Sequence, residues 1–158
     1  MPMTHEEFLQ HIRSRYASLL DPDWKDDNFQ YFILIDPGWQ SLVVEYCDRV
    51  EAHLTSTGWL RRYFLRQIKE KFGTLRIYLR PKPTMAADKD GSPIEVEDFD
   101  QAGPEVYEPL GQIYDDIAAR SQQTCEECGK PGELRVLDGW YRTCCDQHFA
   151  EWQARKAK

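Results

Sequence analysis

Three patterns in the sequence predict an α+β fold. Apolar residues recur at helical spacing in three separated stretches, a central run alternates apolar and polar residues, and Cys and His residues gather near the C-terminus. The chain has 158 residues, of which 41% are hydrophobic and which include five Trp and eight Tyr, so it is expected to bury a real core without help from disulfides. The expected organisation is a domain over residues 1–121 with a small module at 122–158.

The first helix is predicted near residues 4–20. Thr4-His5-Glu6-Glu7 has the form of a capping box, and Phe8, Leu9, Ile12, Tyr16 and Leu19 follow on one face up to Asp21-Pro22. Tyr31 to Ile35 is a short apolar run that reads as a buried strand closed by Asp36-Pro37-Gly38. The second helix, near 39–56, carries Trp39, Leu42, Val43, Tyr46, Cys47, Val50 and Leu54 on one stripe, with His53 at its polar edge. A small antiparallel sheet is centred on 62–80: Gly73-Thr74 supplies turn chemistry, and Leu75, Ile77 and Leu79 alternate with Arg76, Tyr78 and Arg80. Residues 81–104, rich in Pro, Gly and acids, read as a long mobile acidic loop with no core element. A third helix near 105–121 presents Tyr107, Leu110, Ile113, Tyr114 and Ile117, with Pro109 tolerable only in its first turn.

Four of the five cysteines fall between 125 and 145. Cys125, Cys128, Cys145 and His148 form the pattern C-x2-C-x16-C-x2-H, whose thiolates and imidazole suit a tetrahedral zinc ion. The competing reading is a set of reduced thiols or a redox pair. Leu134 to Thr143 is expected to form a hairpin turning at Asp138-Gly139, and the tail from Asp146 a helix. Cys145, His148, Phe149 and Trp152 then share one helical face, in a treble-clef-like zinc module. Cys144 points away from that face, so Cys145 is the expected ligand. Four protein ligands leave no open position, so the zinc is expected to be structural; in peptides such binding contributes about 10–16 kcal/mol. Cys47, on the apolar stripe, is expected to be a buried free thiol.

The segments KEKFGTLR (69–76), TCEECGKPG (124–132) and GWYRTCCDQH (139–148) resemble those of small uncharacterised zinc-binding proteins of bacterial and prophage genomes, with Gly38-Trp39 similar as well. In that pattern the position of Cys144 is usually aliphatic, which also favours Cys145 as the ligand. The resemblance implies a zinc-bearing accessory or phage-related protein and names no reaction.

The net charge of −7 opposes contact with a phosphate backbone unless cations are gathered on one face. Residues 59–82 carry a local +7 and residues 83–120 a local −8. The basic segment reads either as a solvated face, covered or not by the acidic loop, or as a contact surface in which Arg66, Arg76, Tyr78 and Arg80 meet a partner. The expected function is a zinc-stabilised binding or regulatory protein with a macromolecular partner, such as an inhibitor or immunity protein. One alternative is a nucleic-acid-binding protein using the hairpin at 59–82, and another a metal-dependent nuclease or hydrolase. Catalysis is the less expected role: His5, His11 and His53 lie in no catalytic motif, and no nucleophile elbow or phosphate loop is present. Without a signal sequence or a long apolar stretch, the chain is expected to be cytoplasmic.

Overall fold

A computed structural model of the protein describes residues 2–23, 26–96 and 102–158 and shows an α+β fold. Helix α1 (His5–Arg15) opens with the expected capping box, in which Thr4 Oγ1 accepts the Glu7 N–H at 3.2 Å and Glu7 accepts the Thr4 N–H at 2.8 Å. It stops five residues earlier than its apolar spacing implies. Tyr16 leaves helical geometry and donates its hydroxyl to Asp48 at 2.6 Å, and a 3-10 turn over Ala17–Leu19 carries Leu19 into the core.

The strand expected over Tyr31 to Ile35 contracts to β1 (Ile33–Leu34), because a 3-10 segment holds Asp26–Tyr31. It pairs in parallel with β2 (Tyr63–Lys71), which pairs antiparallel with β3 (Thr74–Pro81); the sheet is mixed, with order β1-β2-β3. Phe72 and Gly73, at φ 55° and 76°, form the two-residue turn between β2 and β3, the primed geometry that matches strand twist. The expected alternation holds: Leu75, Ile77 and Leu79 are buried and Arg76, Tyr78 and Arg80 half-buried.

Helix α2 (Gln40–Thr57) buries its stripe, including Cys47, against this sheet and α3 (Pro104–Ser121). His53 Nε2 meets the Val106 carbonyl at 2.8 Å, joining the two helices. Pro109 lies in the second turn of α3, not the first, and costs the helix one backbone donor. Outside, Arg49 pairs with Asp116 at 2.6 Å and Arg120 pairs with Glu45.

Residues 81–104 depart most from expectation. They contain a hairpin of β4 (Thr84–Ala87) and β5 (Pro93–Val96), and Ala102 packs into the core. Both strands are short and β5 is exposed throughout, so no apolar alternation marks them. The part of the acidic loop at 97–101 lies outside the described residues.

The C-terminal part comprises β6 (Glu133–Leu137), β7 (Trp140–Cys144) and α4 (Asp146–Lys156), with Asp138-Gly139 turning the hairpin as expected. Its own cluster of Cys125, Cys144 and Trp152 is separate from the main core. The two parts meet at Gly38 and Trp39. Gly38 N–H donates to the Glu126 carbonyl at 2.7 Å, and the buried Trp39 Nε1–H donates to the Thr124 carbonyl at 2.8 Å. A Cβ on Gly38 would collide with the carbonyl oxygens of Cys125 and Glu126, neither of which can rotate away. Gly38→Ala should therefore lower unfolding stability by about 1–3 kcal/mol in thermal or denaturant titration, the usual cost of overpacking.

Candidate metal centre

The loop before β6 shapes the first pair of donors. Cys125 N–H donates to the Lys130 carbonyl at 2.8 Å and Gly129 N–H to the Cys125 carbonyl at 2.9 Å, folding the chain so that both sulfurs face one point. The second pair comes from the start of α4: Cys145 is its N-cap and His148 lies in its first turn.

The four donor atoms lie within 4.8 Å of one another. Cys128 Sγ is 3.9 Å from Cys145 Sγ, and His148 Nδ1 is 3.4 Å from Cys125 Sγ and 3.2 Å from Cys145 Sγ. Tetrahedral coordination with metal–sulfur bonds near 2.3 Å places sulfurs about 3.8 Å apart, so the spacing fits one ion bound by all four residues. The Cys145 thiol is drawn down to about 7, chiefly by the His148 backbone N–H, which favours the thiolate a metal requires. The cluster can hold a metal ion. Cys144 lies outside it: the side chain is buried, and burial pushes its thiol up to about 11. Cys47 is fully buried on α2, where burial raises its thiol well above the usual range.

Two carboxylates beside the cluster escaped the sequence reading. His148 Nε2, on the ring edge away from the sulfurs, is 3.3 Å from Glu127 Oε2, so Glu127 fixes the ring in the orientation that offers Nδ1 to a metal. Glu127 is held in turn by Arg142 at 3.2 Å, and Arg142 reaches Asp36 at 3.0 Å across the junction. Glu126 is only 4% exposed and accepts the Thr143 N–H at 2.6 Å. Burial pushes its carboxyl up to about 7, against the opposing pull of that hydrogen bond and of Arg142. The one available signal was the acidic pair inside the C-x2-C turn, where side chains cannot avoid the ligands.

Of the four expected contact residues, three come together. Arg76, Tyr78 and Arg80 share the outer face of β3 with Lys69 of β2, and the Tyr78 ring lies 5.6 Å from Lys69 Nζ and 5.5 Å from the Arg80 guanidinium. Arg66 sits at a β-bulge and is drawn instead to Asp21 at 3.1 Å. Lys82 pairs with Asp23 at 2.6 Å, so among the described residues the acids that meet the basic segment come from 21–23.

A scan against protein-family models and searches of curated proteins and of solved structures returned no match. Among the described residues no helix is long and apolar enough to cross a membrane.

Cys128→Ser and Cys145→Ser should each abolish metal retention in freshly purified reduced protein, whereas Cys144→Ser and Cys47→Ser should retain it; elemental analysis decides. Glu127→Gln should keep the ion but weaken its affinity about 10–100-fold, measured by competition with a chromophoric chelator.

Proposed function

We propose that the protein is a zinc-stabilised binding module that engages a protein partner through aromatic side chains at two adjoining hairpin tips. Zinc is the ion that best suits three thiolates and one imidazole in a closed tetrahedral set. With all four positions filled by protein, its role is to hold β6, β7 and α4 in place.

The observation that carries the reading is an exposed apolar patch. Phe72 is 60% exposed at the β2–β3 turn, Trp140 67% and Tyr141 41% at the β6–β7 turn, and Leu134 and Val136 are exposed beside them. The Phe72 and Tyr141 rings meet edge to face at 5.8 Å. The tips are fastened together because Thr143 Oγ1 donates to the Gly73 carbonyl at 2.7 Å. Contiguous exposed aromatics on a rigid frame are the usual anchors of protein interfaces, where little ordering entropy remains to be lost on binding. Lys71 Nζ lies 5.5 Å from the Phe72 ring and Lys156 Nζ 6.0 Å from the Trp140 ring, giving the patch a cationic rim that favours an acidic partner.

A second reading, nucleic-acid binding, draws on Tyr78 between Lys69 and Arg80. The neutralisation of Arg66 and Lys82 by Asp21 and Asp23 weakens it.

Trp140→Ala combined with Tyr141→Ala should weaken partner binding at least about tenfold while zinc content and melting temperature stay near those of the parent. The check is a quantitative pull-down from the native host followed by titration of the captured protein. Under the second reading, the pair would leave binding intact and affinity for a labelled oligonucleotide would fall steeply as salt rises.

A further inference from the structure

Away from the hairpin tips, β3 is the last strand of its sheet, and its outer edge is unequally used. In this hairpin the even-numbered residues of β3 bond to β2 and the odd-numbered ones turn their peptide groups outward. At Leu75 both outward groups are engaged by α3: Ser121 Oγ accepts the N–H at 3.0 Å and the Tyr114 hydroxyl lies 3.4 Å from the carbonyl. Pro81, at the other end, has no N–H. Between them Ile77 and Leu79 present their outward groups to a groove, and the Leu79 carbonyl accepts Arg80 Nη1 at 3.2 Å. Among the described residues this leaves two N–H donors and one carbonyl for an added strand.

The groove has a volume of about 440 Å³, in the range of peptide and ligand sites, and its far wall is α3 at Tyr107, Leu110, Gly111 and Tyr114. Gly111 is the informative residue. A glycine inside a helix is destabilising relative to alanine, and a Cβ here would meet nothing within 4 Å among the described residues, whose packing gives no reason for it. Its effect is to keep the wall open where another backbone can approach. Arg76 and Arg80 line the strand side. Among the described residues Arg76 has no carboxylate partner, and its buried Nε–H has no acceptor.

We infer that this groove binds an extended acidic peptide segment of a partner protein, which adds to β3 as a fourth strand. An acidic side chain meets Arg76 on the outer face, and the apolar side chains on either side of it rest against Tyr107 and Leu110. Charge complementarity selects an acidic strand, and the two-sided register selects one of alternating character. The site is independent of the hairpin-tip patch.

The test uses a fluorescein-labelled, end-blocked octapeptide of alternating Glu and Val, followed by anisotropy at low salt with the zinc-loaded full chain. Saturable binding is expected, with a Lys-Val octapeptide inert. Gly111→Trp should weaken binding at least about tenfold, while Gly111→Ala, whose melting temperature should match or exceed the parent's, retains it. Methylation of the peptide amides in one alternating register should abolish binding and in the other spare it. The Trp140→Ala, Tyr141→Ala protein should bind like the parent, which separates this site from the hairpin-tip reading. Equal affinity in folded Gly111→Trp, tolerance of methylation in both registers, or absence of binding would overturn the proposal. So would an oligo-dT that binds through Arg76 more tightly than the octapeptide and is indifferent to Gly111→Trp.

Discussion

The architecture depends on the close approach of one backbone to another at Gly38. Only a residue without a side chain can bring its N–H to the Glu126 carbonyl while its Cα lies against the Cys125 peptide, and the indole of Trp39 then reaches Thr124 from the main core. The loop that carries two of the metal donors is thus fixed from outside by the start of α2. The second pair of donors is fixed from inside, by the cap of α4 and by Glu127 behind the His148 ring. The capacity to hold a metal and the docking of the C-terminal part therefore share the Cys125–Cys128 loop.

Arg142 ties these elements electrostatically. It touches Asp36 before α2 and Glu127 behind the histidine, lies 3.9 Å from the buried Glu126, and stands 5.8 Å from the Trp152 ring. A guanidinium can serve several carboxylates in different directions, which a lysine ammonium on a flexible stem does less well. The acidic pair in the Cys125–Cys128 turn would otherwise repel both the thiolates and Asp36.

Much of this was legible in the sequence where the signal is periodic or local. The stripe of α2 survives because it buries one face, and that of α3 survives except at Tyr107, which lines the groove while Val106 is buried instead; the turns at Gly73 and Asp138-Gly139 were legible because the backbone there needs positive φ, and the donor set because metal geometry restricts spacing. What stayed hidden is non-local or two-sided. The β4–β5 hairpin has exposed residues on both faces, so its prolines and acids read as loop. Strand β1 finds a parallel partner through pairing that no local pattern encodes. The bulge at Arg66 separates it from Arg76 and Arg80, which the alternation of β3 alone could not reveal. Glu127 was hidden because an acid between two cysteines carries no periodicity at all.

The Trp39–Thr124 bond also sets an order of events. It joins residues 85 positions apart, and contacts of such separation close large loops and form late. Until the cysteine loop is present, the Trp39 indole has only water for its N–H. The C-terminal part closes through nearby contacts, from the β6–β7 turn to the Cys145–His148 turn, and these can assemble quickly once present. Docking of the C-terminal part onto Gly38 thus closes a long loop, and an ion held by the four donors would lower the cost of that closure by delivering the cysteine loop preformed.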